Sequence, residues 1–112
     1  MATIKMCTDI SQSKELAEIL PLESADMYWW SSGKRYYIEA MDDGDFNEEE
    51  GHVRAWSLAA LLSVLPEKYT ELIKEGGMYR IIIKDSYMTS LFENPVDACV
   101  AMVEKLKELN LL

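Results

Sequence analysis

Residues 81–83 are three consecutive isoleucines, Ile81-Ile82-Ile83, inside the run from Met78 to Lys84. Side chains of a strand alternate between two faces, so a β-branched run without alternation predicts a strand buried on both. At a sheet edge the same run would template aggregation, and a central position is therefore expected. A central strand needs neighbours on both sides and helices to cover it, and the remainder of the chain has to supply them.

The clearest helix signal follows soon after. Asn94 is a good N-cap, Pro95 fits the first helical position, and Asp97 complements the helix dipole. Val96, Cys99, Val100, Val103 and Leu106 then recur at helical spacing, with Lys105 and Lys107 near the C-terminal end. Near the start, Asp9-Ile10-Ser11-Gln12 reads as a capping box, predicting a helix to Leu20 that Pro21 stops. A third helix is expected over Ser57 to Leu65, ended by Pro66. Leu16 to Pro21 and Leu61 to Pro66 echo one another, a likeness that proline-stopped amphipathic helices share. Glu67 to Glu75 reads as a further helical turn or two before Gly76-Gly77.

Met27 to Ser32 and Lys34 to Met41 read as an aromatic-rich hairpin with its turn at Ser32-Gly33. Tyr87 to Phe92 is expected to return as another strand, and residues 3–7 to form a short fifth one. The resulting order is (β)-α-β-β-α-β-β-α. It predicts an α+β fold, an antiparallel sheet of about four strands with helices on one face, in a single domain over residues 1–112. Area scaling puts the folded surface at roughly 6,300 Å².

Charge narrows the function. The net charge is −9. Much of it sits in one loop, where Asp42, Asp43, Asp45, Glu48, Glu49 and Glu50 follow without a basic residue among them. Such a chain is repelled by phosphate backbones and anionic lipid, so neither nucleic acid nor membrane is an expected partner. The first residues, Met1 to Met6, lack a charged segment followed by a long apolar stretch, and no signal peptide or span is expected. Cys7 and Cys99 lie among apolar residues with no metal-ligand spacing, and read as reduced, buried thiols. Together these point to the cytoplasm.

No motif assembles chemistry. Asp43, Asp45 and Asn47 match the first ligands of a calcium loop, but Glu48 stands where glycine is required and Arg54 where a bidentate glutamate is required. No metal and no cofactor are expected. His52, the one histidine, has no second histidine or nearby cysteine and reads as a surface residue at a loop end. Ser57 is the nucleophile within its reach in sequence, without a Gly-x-Ser-x-Gly elbow. The glycines lie at turns and form no phosphate loop. Trp56 reads as core, next to the apolar helix it precedes.

The aromatic hairpin is the distinctive feature. Alternation puts Trp29 on one face and Tyr28 and Trp30 on the other, with Tyr36 and Tyr37 opposite. Cross-strand aromatic pairs stabilise hairpins, and exposed Tyr and Trp are favoured at protein interfaces.

Four segments carry a resemblance: Cys7-Thr8-Asp9-Ile10, Glu23 to Trp29, Ala55 to Leu62, and Asn94 to Cys99. In these the chain resembles a group of small uncharacterised proteins that recur in gut-bacterial genomes, their prophages and mobile elements. The resemblance implies a bacterial or phage cytoplasm and brings no assigned function.

The expected function is a small non-enzymatic protein-interaction module, with Tyr28, Trp30 and Tyr37 as the contact surface. Its partner is another protein or a second copy of the chain. One alternative is an acidic inhibitor that mimics phosphate and occupies a nucleic-acid-binding protein. The other is a small enzyme using His52.

Overall fold

The computed structural model describes residues 5–41, 45–67, 69–84 and 86–112. Asp42, Asp43 and the first half of the expected strand 3–7 fall outside them. Three helices and six strands follow in the order α1 (Ile10–Ala17), β1 (Met27–Ser32), β2 (Arg35–Ala40), β3 (Val53–Ala55), α2 (Leu58–Val64), β4 (Thr70–Glu75), β5 (Met78–Ile83), β6 (Tyr87–Met88) and α3 (Pro95–Glu108). Short 3-10 turns cover Leu22–Ser24 and Glu48–Glu50.

The chain is α+β, but its strands divide into two three-stranded antiparallel sheets, β2-β1-β3 and β4-β5-β6. This corrects the expectation of one four-stranded sheet. The chain leaves the first sheet at the end of β3. Beyond β3 the chain pairs through a bridge between Cys7 and Ser57, and the Thr8 N–H donates to the Trp56 carbonyl at 2.9 Å. Cys7, from the expected strand at residues 3–7, contributes this bridge, which lies past the end of β3. Helix α2 begins at Leu58, directly after β3, and carries the chain away.

Local chemistry accounts for each element. In α1, Asp9 caps Gln12 at 2.7 Å and the Gln12 side chain returns to the Asp9 N–H at 3.1 Å, the reciprocal pair of a capping box. The helix ends three residues earlier than expected, at Ala17, although the Leu20 N–H still reaches the Leu16 carbonyl at 2.8 Å. Ser57 caps α2 and Asn94 caps α3, with Pro95 in its first turn.

The segment before Gly76 is strand β4, not helix. Gly76 and Gly77 have φ of +60° and +80°. Two successive left-handed residues make the tight turn that matches strand twist, so they fold 70–75 back on β5. Gly33, at +65°, serves the β1–β2 hairpin, whose turn is Gly33-Lys34 and not Ser32-Gly33.

Strand β5 is central, as its isoleucines require, between β4 and β6. Ile81 and Ile83 are buried, and α3 packs on this strand. Ile82 turns to the other face and is only half-buried, beside Glu71 and Met88 in register. Burial on both faces is therefore incomplete, because α3 covers one side. The return strand is also shorter than expected. It ends at Met88, and Phe92 rejoins β5 through a bridge to Tyr79.

One core packs the three helices against the second sheet. Leu16 and Leu20 from the α1 region, Trp56, Leu61 and Leu65 around α2, Ile81 and Ile83, and Val96, Cys99, Met102, Val103 and Leu106 from α3 form a contiguous buried cluster. Trp56 is fully buried and its indole N–H donates to the Ser24 hydroxyl at 2.8 Å. The accessible surface is 7,376 Å². That exceeds the roughly 6,300 Å² expected from mass, and the β1–β2 hairpin, mostly exposed along β2, is one source of the excess.

Trp56→Ala removes the largest side chain of this cluster. It is expected to lower stability by about 3–5 kcal/mol, read as a fall in the urea midpoint at unchanged m-value. A loss below about 1 kcal/mol would mean that the core closes without it.

Candidate functional site

Three regions gather polar or aromatic groups, and they differ in what those groups are free to do.

The first is an open cleft of about 580 Å³ between the N-terminal segment, the β1–β2 hairpin and the start of α3. Met6, Trp29 and Ile38 make its apolar wall, and Lys5, Asp9, Asn94 and Asp97 its polar one, beside Cys7. The polar groups bind one another. The Lys5 ammonium donates to Asp97 at 2.8 Å and to Asp9 at 3.3 Å. Asp97 also accepts from Gln12 at 2.9 Å and from the Asn94 side chain at 2.8 Å. Partial burial pulls the Lys5 pKa down, but the hydrogen bonds and charges of Asp97 and Asp9 outweigh it and the net shift is upward. For Asp97, burial pushes upward, while hydrogen bonds from Lys5, Gln12 and Asn94 and the Lys5 charge bring the carboxyl below its ordinary value. Lys5 is thus a fixed cation and not a base. Burial raises the Cys7 thiol, with Lys5 opposing only in part, so this cysteine is poorly ionised and a weak nucleophile. Cys99, inside the core, is pushed up to about 12 by burial.

The second region is the acidic loop. Its 3-10 turn is capped by the Asn47 side chain, which accepts the Glu49 N–H at 2.9 Å, and Gly51 ends it at φ +84°. His52, expected at the surface, is only partly exposed. Its side chain is 13 % exposed. The ring stacks on Tyr28 at 5.2 Å and meets Phe46 at 6.1 Å, and Nδ1 accepts the Asn47 N–H at 3.0 Å. The ring pins the loop to the sheet. Ser57, its proposed companion, spends its hydroxyl on Asp26 and on capping α2. Base and nucleophile are therefore not paired. Asp45, Glu48, Glu49 and Glu50 are exposed. Glu48 pairs with Arg54, whose guanidinium also lies 4.4 Å from the Phe46 ring centre, and Glu50 lies 3.6 Å from His52. Among the described residues no group of three His, Cys, Asp or Glu side chains is arranged to hold a metal ion.

The third region is the aromatic hairpin. Trp30 and Tyr37 face each other in register and stack with ring centres 4.7 Å apart. Tyr37 is 42 % exposed and Tyr36, on the opposite face, 52 %. Among the described residues the Trp30 indole N–H has no acceptor. Tyr28 departs from expectation. Alternation does put it on the face of Trp30, but it is 2 % exposed, because Phe46 and His52 from the acidic loop close over it. Its hydroxyl donates to Glu39 at 3.0 Å. Tyr28 is thus covered on that face, where Trp30 and Tyr37 remain open, and Tyr36 is exposed on the other.

Sequence reasoning missed the state of β2. It is an edge strand, exposed at five of six positions. The missing signal was β3, whose pairing with β1 leaves β2 outermost.

Comparison with protein families, with curated proteins and with solved structures gives no match. Among the described residues no helix is long and apolar enough to cross a membrane.

The Lys5–Asp97 network has a pH signature. The folded pKa of Asp97 lies below its unfolded value, so its stabilising contribution is present at neutral pH and is lost as pH falls through the folded pKa, below about 4. Asp97→Asn is expected to unfold at lower urea than the wild type at pH 7, with the gap narrowing under strongly acid conditions. An equal gap at both pH values would exclude the carboxylate charge as its source.

Proposed function

We propose that this chain is a non-enzymatic protein-interaction module that binds through the β1–β2 hairpin. The observation that carries the reading is the outer edge of β2, which no described strand covers and which displays Tyr36 and Tyr37 on its two faces. Trp30 stiffens the site by stacking on Tyr37, so little rotamer freedom remains to be lost on binding. Rigid, amphipathic aromatics beside unsatisfied backbone groups suit a partner that adds a strand or lies across the face.

The other polar clusters favour this reading by being engaged. Lys5, Asp97, His52 and Ser57 each hold a structural contact. A phosphate-mimicking loop would need carboxylates free to meet a basic groove, and Glu48 is already held by Arg54. It remains the second reading, on the strength of the exposed run Glu48–Glu50.

Tagged protein used to capture partners from its host's lysate, at low and high salt, separates the two. A partner retained at high salt and weakened on Trp30→Ala by about 2 kcal/mol or more, roughly thirtyfold in Kd, is the expected result. Tyr37→Ala is expected to act in the same direction, with the circular dichroism melt of each variant verifying that the fold survives. Capture of a nucleic-acid-binding protein only at low salt would instead favour the acidic loop.

A further inference from the structure

Backbone direction along β2 can be read from its two ends. Arg35 closes the hairpin turn opposite Ser32, and the Met41 N–H donates to the Asp26 carbonyl at 2.9 Å. Residues 35, 37, 39 and 41 thus turn their backbone groups toward β1, and Tyr36, Ile38 and Ala40 turn theirs outward. Any strand added to this edge must bond to those three.

With the hairpin as contact surface, we infer that the occupant of this edge is a second copy of the chain, its β2 pairing antiparallel with this β2 about a two-fold axis through Tyr37. In that register Tyr36 and Ile38 exchange both backbone hydrogen bonds with Ile38 and Tyr36 of the other copy. Tyr37 faces Tyr37, and Arg35 faces Glu39 at both ends. Residues 35, 37 and 39 fall at non-hydrogen-bonded positions, where opposed Cα atoms approach to about 4.5 Å and side chains interact most closely. The two Trp30–Tyr37 stacks then run side by side across the axis, and the two sheets become one of six strands.

Charge selects this register from the others the outward groups allow. An axis through Tyr36 sets Arg35 against Tyr37, and one through Ile38 sets Glu39 against Tyr37. Axes through Arg35 or Glu39 oppose like charges. Only the axis through Tyr37 joins Arg35 to Glu39, twice. Among the described residues Arg35 forms no ion pair within its own chain. Glu39 is steadied by the Tyr28 hydroxyl. Of the other edge strands, β3 and β6 are only three and two residues long, and β4 lacks this self-complementarity. The Lys84 N–H donates to the Tyr69 carbonyl, so Thr70, Leu72 and Lys74 point outward there. No two-fold register of that strand opposes Lys74 to Glu71 or Glu75, and the axis through Ile73 sets Glu71 against Glu75 at both ends.

The test is sedimentation equilibrium of the full chain from about 1 μM to about 1 mM, with Arg35→Glu, Glu39→Arg and the double variant. Arg35 and Glu39 lie about 13 Å apart on one strand, so the double exchange can restore nothing within a single chain. A wild-type dimer is expected. Each single exchange enters the interface twice and weakens it at least about tenfold, and the double variant returns to near wild-type affinity. Should Glu39→Arg unfold, hydrogen exchange on the wild type decides alone: the Tyr36 and Ile38 amides gain protection as concentration rises. A wild-type monomer throughout overturns the self-pairing and leaves the interaction reading to the Trp30→Ala capture. A dimer indifferent to Arg35→Glu, or one whose Tyr36 and Ile38 amides stay unprotected, overturns it as well.

Discussion

Thr8 is the joint on which the first half of the fold depends. It is fully buried, and every polar atom it brings inside is used. Its N–H donates to the Trp56 carbonyl at 2.9 Å, and its hydroxyl oxygen accepts the Trp56 N–H at 3.1 Å and meets the Ser13 hydroxyl at 2.7 Å. Its carbonyl accepts the Trp29 indole N–H at 2.9 Å. One residue thereby ties the N-terminal segment to α1, β1 and the chain leaving β3. Such a network is worth having only when complete, since a lost partner strands a buried donor or acceptor at about 1–3 kcal/mol. Trp56, held at its backbone by Thr8 and at its indole by Ser24, then ties the chain leaving β3 to the core formed by the helices and β5.

Cys7 and Thr8 are set against the residues that follow β3, while at the opposite edge of the first sheet no described strand lies beyond β2. Helix α1 packs on β3, α3 packs on β5 and α2 packs on α3, so the helical cover is spent away from the hairpin. A long open edge invites pairing, and proteins usually blunt one with lysine, proline or a bulge. On β2 the charges are Arg35 and Glu39, four residues apart and of opposite sign, a spacing that favours an antiparallel copy rather than repelling it.

Much of the local structure was legible because it is written in short-range chemistry. Asn94-Pro95 and the Asp9–Gln12 box predicted their helices to within a few residues, and the isoleucine run predicted a central strand. Errors arose where the deciding contact was distant or the composition misleading. Glu67 to Glu75 is rich in Glu and Lys, which favour helix, and the stronger signal was the Gly76-Gly77 turn beyond it. Val53–Ala55 is too short for any periodicity to register. Alternation correctly put Tyr28 with Trp30, but only the fold brings Phe46 and His52 over Tyr28, and no local rule foretells that.

Five described residues with chemical potential share a common fate. Lys5 is neutralised by two aspartates, His52 serves as an acceptor for a loop amide, Ser57 caps a helix, and Cys7 and Cys99 are held as thiols by burial. A catalytic group has to keep a lone pair or a proton available to substrate, and these five residues are held in contacts or burial of their own. The hairpin is the reverse case. Its aromatic rings are ordered by stacking while its outer backbone groups stay unspent, and unspent hydrogen-bonding capacity on a rigid strand is what a second strand needs in order to bind.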